Sequence, residues 1–150
     1  DVDYVHAIGA TQLVNIEAED TAVVNLKFKN GALGIIEATT ATRPSNIEGS
    51  ISILGENGIV EVGGFAMNEI KHWQFNDNNA EEDIMQYSVN PPNVYGFGHK
   101  EYYDHVVDSI LNNGPNLSDG MSGKKSVELI SAIYESMKSK KVVNMGYNSM

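Results

Sequence analysis

An alternating run that ends in Asn30-Gly31 restricts the fold of this chain more than any other feature. Over residues 21–29 apolar and polar side chains alternate, which is the pattern of a β-strand with one buried face. Asn30-Gly31 suits the two positive-φ positions of a type I′ turn, so the run predicts an antiparallel hairpin. The predicted pairs on its apolar face are Phe28 with Leu33 and Leu26 with Ile35.

Further strand patterns fill the first half of the chain. Runs rich in Val, Ile, Thr and Phe stand between Gly and Asn turns, and their short connections leave no room for the crossover helices that parallel strands need. Besides the hairpin, strands are predicted at residues 4–13, 50–54, 59–62 and 67–75. A polar, acidic surface loop is expected at 76–83, and a short strand near 84–89.

Two helices are predicted in the last third of the chain. The first carries apolar residues at spacings of three and four and ends at Gly114-Pro115. The second is capped by either Asp119 or Ser122. Its predicted apolar stripe consists of Val127, Ile130, Ile133, Tyr134 and Met137. Because each stripe needs an apolar surface to cover, we predict an α+β fold, an open, mostly antiparallel sheet of about six strands with two C-terminal helices packed on one face.

Charge and composition exclude several classes of function. Ten Lys and Arg against 20 Asp and Glu give a net charge of −10, so nucleic acid, a polyanion, is not an expected partner. No run approaches the roughly 20 apolar residues of a membrane span, and no secretion signal opens the chain, so we expect a cytoplasmic protein. There is no Cys, and His6, His72, His99 and His105 lack the spacing of metal ligands, so no metal is expected.

A first candidate binding segment follows the hairpin. Residues 39–42 end the strand in hydroxyl side chains, and Arg43, Ser45 and Asn46 follow around a proline. An Arg guanidinium can bind a carboxylate or phosphate with two parallel hydrogen bonds. The alternative is an ordinary turn that starts at the proline and exposes its polar residues to solvent.

A second candidate segment leads into the first helix. Tyr95 and His99 flank Gly96-Phe97-Gly98, and the N-terminus of a helix favours an anion. Two roles are open for His99: it donates to a ligand, or it merely starts the helix. The glycines do not form a dinucleotide fingerprint, because the third position of that motif is Glu101.

Several motifs in combination resemble one large family. They are the acidic opening Asp20-Thr21, the Asn30-Gly31 hairpin, the strand Gly34-Ile35-Ile36-Glu37-Ala38, the hairpin at residues 53–62, and the closing helices at 98–104 and 123–136. They resemble the C-terminal domain of the NAD(P)-dependent oxidoreductases typified by glucose-fructose oxidoreductase and inositol dehydrogenase (the Gfo/Idh/MocA family). Residues 47–50 and 63–68 are most similar to bacterial dehydrogenases that act on UDP-N-acetylglucosaminuronate in surface-polysaccharide synthesis.

The resemblance implies that the chemistry lies outside this chain. In the family, an N-terminal Rossmann domain binds NAD or NADP and carries a catalytic Lys in a Glu-Lys-Pro motif. An Asp-x-x-x-His motif lies just before the segment at which this chain begins. Neither motif is present, and the chain starts at Asp1 rather than Met. We therefore expect residues 1–150 to be the C-terminal substrate-binding and oligomerisation domain of a longer protein, with no catalytic residue, no bound cofactor and no activity of its own.

The resemblance also assigns the two candidate segments to the border of a substrate pocket. We expect Arg43, Ser45, Asn46, Tyr95 and His99 to bind an anionic sugar or nucleotide-sugar substrate in the intact dehydrogenase.

The open face of the sheet is expected to mediate assembly. In the family this face commonly packs against a neighbouring subunit, and here it is predicted to hold Val23, Ile36 and Ala38, which is more apolar than solvent requires. A homo-oligomer is therefore expected. The alternative function is a non-catalytic assembly module that dimerises through the same sheet.

Overall fold

Seven strands and two helices make up the described part of the chain. The computed structural model describes residues 1–76, 88–93, 95–115 and 119–146. The elements are β1 (Val2–Ala10), β2 (Thr21–Phe28), β3 (Leu33–Thr39), β4 (Ile51–Leu54), β5 (Gly58–Gly63), β6 (Glu69–Phe75), α1 (Gly98–Asn112), α2 (Gly120–Ser139) and β7 (Val143–Asn144). The predicted α+β class, with antiparallel strands and two C-terminal helices, is confirmed. The expected acidic loop and the strand near 84–89 lie outside the described residues, apart from residues 76, 88 and 89.

The strands form two antiparallel sheets, one in each of two compact units. The first unit comprises residues 1–42 and 117–150, and the second comprises residues 43–116. The first unit holds a four-stranded sheet in the order β3-β2-β1-β7, and the second holds a three-stranded sheet in the order β4-β5-β6. Sequential strands are neighbours in both sheets except at β7, which returns from α2 to pair with β1.

The β2–β3 hairpin forms, but the predicted register is wrong by one residue. Lys27 lies opposite Leu33, because the loop contains three residues instead of two. The N–H of Gly31 donates to the Phe28 carbonyl at 2.9 Å, and the N–H of Phe28 donates to the Ala32 carbonyl at 3.0 Å. Gly31 has a φ of 94°. This loop is a type I turn closed by a glycine bulge, a common alternative to the type I′ turn.

The one-residue shift reverses the faces of β3, because successive side chains of a strand point to opposite sides of a sheet. The sequence pattern predicts Leu33 and Ile35 in the core, but they are 78% and 72% exposed. Ile36 lies opposite Val24 instead, and Val24 is only 2% exposed. The bulge therefore decides which apolar side chains of the hairpin reach the core.

Helix α2 packs on β1 through a stripe that includes only two of the five predicted residues, Ile133 and Met137. The core consists of Val2, Val5, Ala7, Val24, Leu26 and Ala132. The side chains that α2 adds around it are Leu129, Ile133 and Met137, with Ser136 fully buried. The prediction that Val127, Ile130 and Tyr134 face the core is wrong, since all three are exposed. The small side chains at 132 and 136 let the helix approach the sheet closely, and a stripe chosen by hydrophobicity alone passes over them.

The two helices differ in how they begin and in what they bury. Asp119 is the N-cap of α2, and its Oδ1 accepts the N–H of Ser122 at 2.8 Å, so Asp119 is the cap of the two proposed. The same hydrogen bond lowers the pKa of Asp119. Helix α1 follows Phe97 without a side-chain cap and contains no buried residue.

The carboxylate of Asp20 organises the loop between β1 and β2. Asp20 is 2% exposed, and its Oδ2 accepts the N–H groups of Gln12, Leu13 and Val14 at 2.9, 2.6 and 2.9 Å. Backbone hydrogen bonds, with that of Val14 first, lower the pKa of Asp20 to about 2. The Asp20 carboxylate thus supplies the hydrogen-bond acceptor for three successive backbone N–H groups that have no partner in a helix or sheet.

Candidate functional site

The first candidate segment is an exposed stretch between β3 and β4. Arg43, Ser45 and Asn46 are all solvent-exposed, and the peptide bond between Arg43 and Pro44 is cis. The guanidinium, hydroxyl and carboxamide groups of these residues are hydrogen-bonding groups of the kind that can bind anionic oxygens.

The segment is tethered immediately after Asn46. The backbone N–H of Gly64 donates to Oε2 of Glu48 at 3.0 Å, and the N–H of Gly49 donates to the Gly64 carbonyl at 3.3 Å. Both polar backbone groups of Gly64 are therefore engaged by the residues that follow the candidate segment.

Lys71 on β6 completes this tether. Its Nζ lies 2.7 Å from Oε1 and 2.6 Å from Oε2 of Glu48. These hydrogen bonds are the largest cause of the lowered pKa of Glu48 and of the raised pKa of Lys71. Both side chains are only about one-third exposed or less, so water competes with the pair less than at an open surface.

The second candidate segment contains a direct contact between its two predicted residues. The rings of Tyr95 and His99 meet edge to face, with their centroids 6.1 Å apart. Tyr95 is 74% exposed, and its N–H donates to Oδ1 of Asn93 at 3.0 Å. The N–H of Gly96 donates to the Asn93 carbonyl at 3.2 Å. His99 lies in the first turn of α1, so the structure holds both rings at the start of that helix.

A further tether precedes this segment. Nδ2 of Asn68 lies 3.3 Å from the Val89 carbonyl and 3.0 Å from Oδ1 of Asn90. Oδ1 of Asn68 accepts the N–H of Ala66 at 3.2 Å, and Pro91, the next residue after this contact, is buried. The approach to the Tyr95–His99 contact is thus fixed from the turn that lies between β5 and β6.

Sequence reasoning missed Glu48, Asn68 and Lys71 as candidates. A Gly63-Gly64 pair with an Asn four residues later is a turn signal that could have drawn attention to Asn68. No local pattern connects Glu48 with Lys71, because Glu48 precedes β4 and Lys71 lies on β6, so their contact depends on how β4, β5 and β6 pair.

The described residues contain neither a candidate metal site nor a candidate membrane-spanning helix. Within residues 1–76, 88–93, 95–115 and 119–146, no three His, Asp or Glu side chains are grouped so that they could hold a metal ion. Neither helix in that part of the chain has the length and apolar character needed to cross a bilayer.

The structure of this chain is similar to two solved dehydrogenase structures. The first is the WlbA dehydrogenase from Chromobacterium violaceum, solved with NADH and UDP-GlcNAcA. It is 43% identical with a TM-score of 0.86, and the match covers 98% of this chain and 41% of that protein. The second is the WlbA dehydrogenase from Bordetella pertussis, solved with the same two ligands. It is 40% identical with a TM-score of 0.89, over 98% of this chain and 43% of that protein.

A more distant structure shares the fold alone. Levoglucosan dehydrogenase, solved with NADH and levoglucosan, is 19% identical with a TM-score of 0.75, over 99% of this chain and 46% of that protein. This chain thus spans less than half the length of each of these three proteins.

The family itself is identified by its sequence profile. The profile described as the oxidoreductase family, C-terminal alpha/beta domain, matches residues 2–145, which is nearly the whole chain. The family that the motifs predicted is therefore confirmed. The chain belongs to the Gfo/Idh/MocA oxidoreductase family and corresponds to its C-terminal alpha/beta domain.

Proposed function

We propose that this chain is the substrate-binding and oligomerisation domain of an NAD(P)-dependent sugar dehydrogenase. The intact enzyme would oxidise a UDP-N-acetylhexosaminuronate in polysaccharide or lipopolysaccharide biosynthesis. The observation that carries the proposal is identity of 43% and 40%, over 98% of this chain, to two dehydrogenases solved with NADH and UDP-GlcNAcA.

The cofactor and the catalytic Lys and His are proposed to lie in a Rossmann domain outside residues 1–150. The residues of this chain do not fit a dinucleotide. Gly96-Phe97-Gly98 leads into α1, but Glu101 occupies the position of the third glycine, and the described residues just before it form no strand. When bound elsewhere in the enzyme, a nicotinamide would accept hydride from the sugar.

In this proposal the two candidate segments bind and orient the substrate. Arg43 supplies a planar fork of donors for a carboxylate or a diphosphate, and Ser45 and Asn46 add neutral hydrogen bonds. Tyr95 and His99 present a phenol and an imidazole at the start of α1. Such residues would raise the reaction rate by placing the reacting carbon of the sugar next to the nicotinamide.

Calorimetry on the full-length enzyme tests this function. We expect UDP-GlcNAcA to bind the wild type and to bind Arg43→Ala at least about tenfold more weakly, because the lost hydrogen bonds are charge-assisted. NADH affinity should be the same in both proteins. Failure of the wild type to bind the nucleotide sugar would refute the proposed function, and unchanged affinity in Arg43→Ala would refute the role of that residue.

The isolated chain provides a second test. Because the catalytic groups are proposed to lie elsewhere, residues 1–150 alone should produce no NADH from NAD and UDP-GlcNAcA. Measurable turnover by this chain would show that it contains the catalytic residues after all.

We propose that the open face of the four-stranded sheet forms a subunit contact. The predicted membership of this face is corrected by the register shift, since Val23 lies opposite Glu37 while Ile36 lies opposite Val24 on the core side. The exposed apolar side chains of the open face are Tyr4, Ile8, Val23, Leu33 and Ile35. Exposed apolar side chains gathered on one face of a sheet are typical of a self-complementary dimer contact.

The same face supports the alternative function, a non-catalytic module that assembles through its sheet. Both functions predict an oligomer, so molecular mass does not separate them. Binding of UDP-GlcNAcA to the full-length protein does, because an assembly module has no reason to retain affinity for a nucleotide sugar.

A further inference from the structure

We infer that the turn at residues 63–68, which joins β5 to β6, is a common anchor for the two candidate substrate segments, and that Glu48 and Asn68 are positioning residues for substrate binding. This assignment rests on the proposed function, which makes residues 43–46 and 95–99 parts of one binding site. Every residue involved lies within the single compact unit 43–116.

The residues that follow the first segment are held by two polar contacts with the turn and by an ion pair with β6. Gly64 donates its N–H to the Glu48 carboxylate and accepts the N–H of Gly49 at its carbonyl. Lys71 holds the same carboxylate from β6 with both oxygens within 2.7 Å of its Nζ. Glu48 lies two residues after Asn46, so the end of the first segment cannot move away from the turn without breaking charge-assisted hydrogen bonds.

The second segment is held to the other end of the same turn. The side-chain amide of Asn68 donates toward the Val89 carbonyl and Oδ1 of Asn90. From Asn90 the chain passes through the buried Pro91 to Asn93, which in turn holds the backbone of Tyr95. Hydrogen bonds at Asn68 and Asn93, joined by the short backbone stretch from Asn90 to Asn93, therefore connect the turn with the Tyr95–His99 ring contact.

The turn itself has a conformation that few residues tolerate. Gly64 has a φ of 89°, and a Cβ at this position would lie 2.8 Å from Oδ1 of Asn68. Met67 has a φ of 57°, in the left-handed region that side chains rarely adopt. The Met67 N–H donates to the Gly64 carbonyl at 3.4 Å. Backbone in an unfavourable conformation persists only where surrounding contacts hold it in place. Here those contacts include the hydrogen bonds that link Gly64 and Asn68 to the two segments.

A shared anchor explains how segments far apart in the sequence can act on one ligand. A substrate that bridges both segments must otherwise order two independent loops when it binds, and that ordering reduces affinity. When both loops are fixed to one turn, they are already ordered in the folded protein, so substrate binding does not lose the free energy needed to order them. Loss of either tether should therefore weaken substrate binding without removing any group that touches the substrate.

The test uses the full-length enzyme and two single substitutions, Glu48→Gln and Asn68→Ala. UDP-GlcNAcA and NADH are titrated separately by calorimetry. We expect each variant to bind UDP-GlcNAcA roughly tenfold more weakly, since displacement of groups that orient a ligand has effects of this size or larger. NADH affinity is expected to be unchanged. Unchanged UDP-GlcNAcA affinity in both variants would overturn the inference.

Two controls separate positioning from general loss of structure. Glu128→Gln breaks a comparable ion pair with Lys124, 3.6 Å away on α2, and should leave both affinities unchanged. Lys71→Arg keeps a cation beside Glu48 and should retain most of the UDP-GlcNAcA affinity, whereas Lys71→Met should lose it. If Glu48→Gln does not fold, as judged by its thermal unfolding, Lys71→Met takes its place. Equal losses in Lys71→Arg and Lys71→Met would count against the inference.

A double-mutant cycle with Arg43→Ala distinguishes failure of this inference from failure of the proposed function. If Glu48 acts by placing the first segment, Glu48→Gln should have a smaller further effect once Arg43 is gone, because only Ser45 and Asn46 remain to be placed, so the two losses are not additive. Additive losses would overturn the positioning role and leave Arg43 as a binding residue. Failure of the wild type to bind UDP-GlcNAcA would overturn the proposed function, and the positioning role with it.

Discussion

The hydroxyl of Ser136 accepts a hydrogen bond from the backbone N–H of Ala7 at 3.0 Å, deep in the core between α2 and β1. The same hydroxyl donates to the Lys141 carbonyl at 2.6 Å. Val5 pairs with Val143 in β7, so Ala7 and Lys141 would be the next hydrogen-bonded pair in that register. One side chain thus bridges the point at which the two strands separate and satisfies both backbone groups, the buried N–H of Ala7 and the part-buried carbonyl of Lys141.

Replacement of Ser136 by Ala should destabilise the protein by about 1–3 kcal/mol, because it leaves the buried N–H of Ala7 without a partner and removes the hydrogen bond to the part-buried Lys141 carbonyl. Urea unfolding measures the difference. Ser131→Ala is the matched control, since the Ser131 hydroxyl bonds only to the Val127 carbonyl in its own helix among the described contacts and is exposed. A Ser136→Ala protein as stable as Ser131→Ala would contradict the bridging role.

The carboxylate of Asp20 should make stability depend on pH in the acidic range. Its pKa is lowered from 3.8 to about 2, so its stabilising effect is complete above pH 3.8 and is lost as the pH falls through about 2. We expect Asp20→Asn to be less stable than the wild type at neutral pH, and the difference to shrink toward pH 2.

The urea midpoints of wild type and Asp20→Asn, measured from neutral pH downward, check this expectation. Glu17→Gln, in the same loop and exposed, controls for the general effect of one fewer charge. A gap between wild type and Asp20→Asn that stays constant with pH would show that the three N–H groups do not depend on the charged carboxylate.

Two glycine substitutions should change stability in opposite directions. Gly31 has a φ of 94° and open space where a Cβ would lie, so Gly31→Ala should cost about 1 kcal/mol for conformational reasons alone. Gly123 lies inside α2 with no atom near a new Cβ, and Gly123→Ala should stabilise by roughly 0.5–1 kcal/mol. Equilibrium unfolding of both variants checks the signs. A stabilising Gly31→Ala would show that position 31 does not need a positive φ, which is incompatible with the glycine bulge.

The open sheet face should control the assembly state of the full-length protein. Ile35→Lys places a charge within the proposed contact and is expected to yield a smaller species by light scattering after gel filtration. Val127→Lys on α2 is the control, because Val127 is also exposed but lies away from that face. An unchanged mass for Ile35→Lys would exclude the open face as the subunit contact.

The hairpin and the second helix show how far sequence patterns reach. Asn30-Gly31 indicates the turn, and alternation indicates β2, since both signals are local. The number of loop residues is not determined locally, because the glycine bulge and the type I′ turn accept the same residue pair. In α2 the bulky apolar residues suggest one stripe, but the core contains Ala132 and Ser136, where small size allows a close approach to β1.

Some residues of the candidate site could likewise be predicted from the sequence, and others could not. Arg43 and His99 could be proposed from residue type and neighbouring turn signals, and family motifs added the kind of substrate. Glu48 and Lys71 could not, and the turn signal at Gly63-Gly64 indicates Asn68 without indicating its contacts, because the partners of all three residues are 16 to 23 residues away along the chain.

By itself, the sequence determined the class of the fold, the approximate positions of β1 to β6 and of both helices, the family, and the acidic, cysteine-free character of the chain. These properties follow from local periodicity, turn residues and composition, each of which acts within a few neighbours. Only the tertiary structure decided the register of β3, the face of α2 that meets the sheet, and the turn at 63–68 that links Glu48 to Asn68. Each of those depends on which distant groups compete for the same buried space or the same hydrogen bond, and that competition is resolved when the chain packs.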